Sequence, residues 1–337
     1  MTDRERIINI INRKQVDRVP YSFDFTSVIA DKLCEHYGIQ NNDLPGFIGD
    51  SMLYLWNIGG GGGLIREGVY SDEFGVLWDY SGKHRRIGTW GTILQNPLPD
   101  ASLDGYTFPK GDKPDRFKFL DQIDLENQDR FVIQSITGLF DICWMLRGEE
   151  NYFMDMAGDI DFAARLMDKA LEFNLGVITQ IPDCVDGVRF GEDWGMQTGL
   201  MFGARLWREL LKPRLKIMYE ATRKKGLRVF IHTCGNITEL FPDIIELGVD
   251  VVHPIQPEAM DIVFLQREYG KDITMYGGVG TQSTLVHATP AQTVEAAKNL
   301  LQIFKSGGFI IGPAGAISTD AKMNNVIALI DFLKGGA

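Results

Sequence analysis

Leu227-Arg-Val-Phe-Ile-His-Thr-Cys-Gly, residues 227–235, decides how this chain is read. The stretch begins short and apolar, as a strand buried on both faces does. His232-Thr-Cys then ends the strand, and Gly235 turns the chain into a helical pattern over residues 236–247 that includes Pro242. The same unit recurs on both sides. Upstream, Asp186-Gly-Val-Arg-Phe reads as a strand and residues 203–225 as a long helix. Downstream, strands at 249–252, 273–276 and 308–311 alternate with helices at 260–269, 290–304 and 321–334. Short apolar strands alternating with amphipathic helices make parallel βα units. This succession of units, without a nucleotide-binding fingerprint, predicts an α/β chain closed as a (β/α)₈ TIM barrel rather than a doubly wound sheet.

The N-terminal part fits that plan with additions. Thr2 caps an extra helix, residues 19–25 (Val-Pro-Tyr-Ser-Phe-Asp-Phe) predict the first strand, and residues 26–37 a helix capped by Thr26 or Ser27. Five consecutive glycines at 59–63 predict a loop, because residues without a Cβ are costly to order. Residues 74–92, with Ser81-Gly-Lys as the turn, predict a β-hairpin. The barrel then carries an insertion at about residues 56–110 of one domain spanning 1–337. A strand from Arg130 and helices at 139–147 and 159–181 lead into the regular alternation.

Composition excludes several functions. The net charge is -11 and the pI about 5.0, which disfavours a phosphate backbone or an anionic lipid surface as partner. The sequence holds no apolar run of about 18 residues that would span a membrane. Its first residues lack the apolar core of a signal peptide. The four cysteines, Cys34, Cys143, Cys184 and Cys234, are scattered without a disulfide framework. A reduced, cytoplasmic protein is expected, and a homodimer is compatible with this reading.

In a barrel of this kind the chemistry sits just after the strands. His232 and Cys234 are two residues apart at a strand end, so their side chains point the same way. Imidazole and thiolate are common zinc ligands, and the alternative is a His and a Cys that merely pack there. Glu192 and Asp193 follow a neighbouring strand. Glu192 is the expected third ligand, with a plain hydrogen-bond acceptor or a solvated loop carboxylate as its alternatives, and either carboxyl could serve as a catalytic general acid. His253, before a proline, is expected to be structural. Gln197, Gln256 and Gln282 follow three strands and could orient a neutral polar ligand or simply bridge loop backbones. Tyr21, Phe25, Trp194 and Tyr276 could wall a flat substrate pocket or belong to the core.

Taken together, these loops resemble the uroporphyrinogen decarboxylase superfamily. The resemblance starts at Arg4-Glu-Arg and Asp17-Arg-Val-Pro and passes through Asp72-Glu-Phe-Gly-Val-Leu-Trp and Thr137-Gly-Leu-Phe. It continues at Glu192-Asp-Trp-Gly-Met-Gln, His232-Thr-Cys-Gly, Gly248-Val-Asp, Pro254-Ile-Gln-Pro, Gly277-Gly and Gly307-Gly, and ends near Asn325. The true decarboxylases of that superfamily carry an Arg-Gln-Ala-Gly-Arg motif after the first strand, whose arginines grip a porphyrinogen's carboxylates. Here that place holds Tyr21-Ser-Phe-Asp-Phe, so no activity on uroporphyrinogen is expected. The other branch, cobalamin-dependent methyltransferases, carries His-x-Cys as zinc ligands, matched by His232 and Cys234. Its coenzyme M members add a Glu and a distant Cys, where this chain has Gln256 and Gly315. The resemblance therefore implies a methyltransferase of the O-demethylase kind. Such an enzyme takes a methyl group from a methoxylated, aromatic small molecule and passes it to a cob(I)alamin-carrying corrinoid protein, with zinc as cofactor. The alternative is a lyase of the same superfamily acting on a smaller carboxylate, which a cluster of arginines after the strands would favour. A binding protein of the same fold would have no need of the His-x-Cys pair.

Overall fold

Seven parallel strands lie side by side in sequence order: Met52–Leu55, Phe131–Thr137, Gly187–Gly191, Arg228–His232, Val251–Ile255, Thr274–Val279 and Phe309–Pro313. The computed structural model describes residues 1–56, 61–81, 91–125 and 128–336. Helices follow the strands and cover the sheet's outer face. Leu139–Arg147 and Ile160–Gln180 come after the second strand and Lys212–Lys224 after the third. Ile262–Tyr269, Pro290–Ile303 and Met323–Lys334 follow the last three. Among the described residues no helix is long and apolar enough to cross a membrane.

The two edge strands of this sheet are linked through residues 20–26. Ile311 N–H donates to Pro20 O at 3.0 Å and Ser22 N–H to Ile311 O at 3.1 Å, while Ser51 N–H donates to Tyr21 O at 2.9 Å. The expected first strand is thus only partly realised, as isolated bridges from Tyr21 to Ile311 and Phe25 to Ile317. Two local features account for that. Pro20 has no N–H to give, and the Phe23 N–H goes to the Asp50 carboxylate at 3.0 Å, whose other oxygen takes the Met52 N–H at 3.0 Å. Strand Met52–Leu55 and helix Glu149–Gly158 were not foreseen in the sequence.

The insertion is larger than the expected hairpin. It is a four-stranded antiparallel sheet of Gly62–Arg66, Val69–Asp72, Leu77–Asp79 and Thr92–Gln95. Leu77–Asp79 does pair with a second arm, but that arm is Thr92–Gln95. Residues 82–90, which include part of the expected turn, lie outside the described residues, as do Gly59 and Gly60 of the glycine run. Gly62 and Gly63 start a strand instead of a loop. At Gly62, with φ of +107°, a Cβ would collide with the Ser71 carbonyl of the paired strand.

Inside the curl, side chains alternate with those facing the helices, as strand geometry requires. Met52, Phe131, Ile133, Phe230, Val251, Tyr276 and Ile310 form an inner cluster, and Ile7 and Ile10 pack into it. Those two isoleucines belong to the N-terminal helix Asp3–Ile11, whose Thr2 capping box forms as the sequence indicates. This helix lies across the N-terminal ends of the strands. Arg4 N–H donates to Asp129 O at 2.7 Å, and the Arg4 guanidinium lies 2.6 Å from Asp186. At the opposite end of the sheet His232 and Asp193 keep part of their side chains open to solvent.

Candidate functional site

Strand Arg228–His232 delivers His232 and Cys234 to the open end, with the His232 Nε2 atom 3.6 Å from Cys234 Sγ. Asp193, on the loop after strand Gly187–Gly191, brings Oδ1 to 4.0 Å from the same nitrogen. One donor atom from each of the three lies within 4.8 Å of the others, and no other such group of His, Cys, Asp or Glu occurs among the described residues. A tetrahedral zinc, with nitrogen at about 2.0 Å and sulfur at about 2.3 Å, places those two atoms roughly 3.5 Å apart. The His232–Cys234 spacing fits that requirement.

The backbone fixes this arrangement. Glu192 N–H donates to His232 O at 2.7 Å, which extends the ladder past the strand ends. Cys234 N–H donates to Asp193 Oδ1 at 2.8 Å, and Trp194 N–H to the Thr233 hydroxyl at 3.1 Å. The two loops also touch at Gly195 and Gly235. A Cβ on either glycine would run into the backbone of the other loop, and Gly235 has φ of +81°. The glycine read as a tight turn is therefore also the point of closest approach between the ligand-bearing loops.

Behind His232 stands His253, with the two Nδ1 atoms 2.8 Å apart. Burial, and then Arg189, lowers the pKa of both imidazoles well below the usual value, with His253 further lowering that of His232. A hydrogen bond here needs the proton on one of the two Nδ1 atoms. When His232 carries it on Nδ1, the lone pair of Nε2 faces Cys234 and Asp193. Burial, and then Asp193, raises the Cys234 thiol's pKa, a direction that a bound metal ion inverts. Burial also raises the Asp193 carboxyl, opposed by the Cys234 N–H and by Arg189.

Glu192, the expected third ligand, turns away from this cluster. Its two carboxylate oxygens take the Leu139 N–H at 2.6 Å and the Phe140 N–H at 3.0 Å, and the Trp194 ring N–H donates to it at 3.3 Å. It satisfies the first turn of helix Leu139–Arg147, where backbone donors have no partner within the helix. Gly138 leaves the room, since a Cβ there would overlap the carboxylate. Burial pushes the Glu192 carboxyl up to about 7, against the three N–H groups that hold it down. Asp193 takes the place at the cluster that was assigned to Glu192.

The other sequence-derived candidates divide. Gln256 bridges backbones: its oxygen accepts the Gly235 N–H and its amide donates to Ala314 O at 3.3 Å. Gly315 stands next to that carbonyl, and a Cβ on it would meet nothing within 4 Å. Gln197 and Gln282 are exposed and hydrogen-bonded to each other at 2.9 Å across the mouth. Trp194 is buried against Trp207 at 5.3 Å, and Tyr21 is buried with its hydroxyl on Ile48 O at 2.9 Å. Tyr276 is buried against His253 with ring centroids 4.1 Å apart. Trp194, bonded to Glu192, and Tyr276, stacked on His253, support the site from behind, whereas Tyr21 belongs to the outer core. Phe25 is half-buried and stacked on Phe23 at 5.4 Å.

Two further groups were not singled out in the sequence. Asp141 Oδ1 accepts the Asp193 N–H at 3.3 Å and the Trp144 ring N–H at 3.0 Å. Burial, then Asp193 and Glu192, raises its carboxyl well above the usual range. Arg189 points inward, because its neighbours Val188 and Phe190 belong to the outer core and Phe190 packs on Tyr219 of a covering helix. A single charge between two apolar residues of a short strand was the available signal.

Residues 125–335, well over half of the chain, match the family described as uroporphyrinogen decarboxylase (URO-D), and the chain belongs to that family. No curated protein matches it. A solved structure of a methyltransferase from Methanosarcina mazei superposes with a TM-score of 0.75 at 15% identity, covering 98% of this chain and 98% of that one. A Listeria monocytogenes structure, named as a candidate vitamin-B12 independent methionine synthase, gives a TM-score of 0.48 at 13% identity, over 94% of this chain and 96% of that one. A B12-independent methionine synthase from Shewanella sp. gives 0.38 at 10% identity, over 62% and 64%. The first of these shows the same fold.

Proposed function

We propose that this chain is a corrinoid-dependent methyltransferase. It takes the methyl group of a methoxylated aromatic compound and passes it to the reduced corrinoid of a separate carrier protein. The observation that carries this reading is the His232, Cys234 and Asp193 donor set at the open end of the sheet. The fold shared with the Methanosarcina mazei methyltransferase supports the same direction. The absence of the arginine motif at Tyr21 to Phe25 speaks against a porphyrinogen with its many carboxylates.

Zinc is the metal suited to this mixed nitrogen, sulfur and oxygen set, and when bound it supplies a Lewis acid where a leaving oxygen would sit. The chain's own residues prepare that place. His253 meets the His232 ring at Nδ1, which leaves Nε2 facing Cys234 and Asp193. Asp193 both offers a carboxylate and fixes the Cys234 backbone. In the reaction, the bond between the methyl carbon and the ether oxygen breaks and a phenolate departs. The free thiol at Cys234 suits the reducing interior of a cell.

Metal analysis separates the ligand roles. Purified protein should hold roughly one zinc per chain, lose it in Cys234→Ala and Asp193→Asn, and keep it in Glu192→Gln. Mixed with reduced cobalamin and a panel of methoxybenzenes, the wild type should produce the absorption change of corrinoid methylation, and His232→Ala should not. Equal zinc in wild type and Cys234→Ala removes the metal assignment. Failure of every methyl ether, amine and thiol to methylate the corrinoid removes the methyltransferase.

A further inference from the structure

Arg189 is 6% exposed, yet its guanidinium makes a single hydrogen bond among the described residues, from Nη1 to the Ser135 hydroxyl at 3.2 Å. Its Nε is buried without a partner. Two acidic groups feel it, Asp24 and Asp193, but neither forms an ion pair with it among the described residues, and burial raises the pKa of both carboxyls. A buried cation without a paired anion is costly in a folded protein. The neighbouring Nε and Nη donors of a guanidinium form a planar fork that matches a carboxylate.

What surrounds this fork is suited to a flat acid. Tyr54 and Trp56 stack on each other with centroids 5.2 Å apart, and the guanidinium carbon lies 5.9 Å from the first ring and 5.1 Å from the second. Trp56 is 53% exposed, so a ring entering from solvent meets an aromatic face beside a buried positive charge. Strand register places Arg189 two residues below Gly191, the partner of His232. At about 3.3 Å per residue that is roughly 7 Å along the strand. One benzene ring with substituents on opposite sides can bridge such a span.

We propose that Arg189 is a substrate-binding residue that grips the carboxylate of the methyl donor, so that the donor is a methoxylated aromatic acid rather than a neutral methoxybenzene. The identity of the donor rests on the methyl-transfer reading, but the anion site does not. It is tested by binding alone. Calorimetry with 4-methoxybenzoate and with 4-methoxybenzamide compares a charged and a neutral ligand of nearly one shape. The wild type should bind the acid at least about tenfold more tightly, the scale of one charge-assisted contact. Arg189→Met should remove the preference, and Arg189→Lys should restore part of it. Equal affinity for acid and amide in the wild type overturns the proposal without recourse to a variant, as does a preference that survives in folded Arg189→Met. The same ligands offered with reduced cobalamin keep the two readings apart. Acids that bind through Arg189 while no methyl ether, amine or thiol methylates the corrinoid leave the anion site standing and remove the methyltransferase. Neutral ethers that methylate the corrinoid as well as the acids do remove the acid as the donor and leave the methyltransferase.

Discussion

The two ends of the curled sheet's interior are built from the same strands and have opposite chemistry. At the end where the strands begin, Phe131, Ile133, Phe230 and Val251 meet Ile7 and Ile10 in a dry, apolar cluster. Two residues further along, the inward positions become Ser135, Arg189, His232 and His253. Strand alternation alone would extend the apolar column to the top. The change of residue type after one step marks where packing ends and chemistry begins, as in barrels whose stability and activity occupy opposite faces. It also teaches that the upper layer is sustained by the lower one. A row of poorly satisfied polar groups, Arg189 Nε and His253 Nε2 among them, is tolerable where a large apolar cluster supports it.

The largest effect that would sharpen this contrast comes from the lower cluster. Phe131→Ala, at a fully buried ring, should cost about 3–5 kcal/mol in denaturant unfolding while the folded variant still binds zinc. Loss of zinc from the folded variant would break the division. A titratable group beside the lower layer should likewise register in stability rather than chemistry. Burial pushes the Asp50 carboxyl from 3.8 up to about 6, against the Met52 and Phe23 N–H groups. With its pKa higher in the folded state, the folded chain holds that proton more tightly. Its contribution to stability therefore falls as pH rises from about 4 to about 6, by roughly 3 kcal/mol. Unfolding curves across that window should fall less steeply in Asp50→Asn than in wild type; parallel curves contradict it. In the upper layer, His253→Ala should weaken zinc binding by about 10–100-fold in chelator competition, the usual cost of losing a group that orients a ligand. Unchanged affinity would mean that His232 needs no support. The smallest effect belongs to the rim: Gln197→Ala, which removes an exposed bond to Gln282, should change stability by no more than about 0.5 kcal/mol.

Much of this was legible in residues 186–334, where strands and helices follow a regular alternation and the structure moves their ends by only a few positions. The His232 and Cys234 pair was legible too, because strand periodicity puts both on one side. What could not be read was which carboxylate joins them. Glu192 and Asp193 are adjacent, and the choice depends on the N-terminus of helix Leu139–Arg147, more than fifty residues away in the chain, whose unpaired N–H groups draw Glu192 off. Met52–Leu55 escaped notice because four residues beside a glycine run carry too little pattern. The first strand was overread because Pro20 and Asp50 take away the hydrogen bonds a full ladder needs.

The N-terminal helix Asp3–Ile11, with Ile7 and Ile10 seated among the inner side chains, makes the interior a cul-de-sac. Among the described residues, a ligand of Arg189 or His232 does not come past that floor. On the proposed reading, the methyl donor and the carrier protein then approach from the end where the strands finish and share one face of the molecule. The helix that stabilises the floor of the sheet thereby sets the direction of traffic at its ceiling.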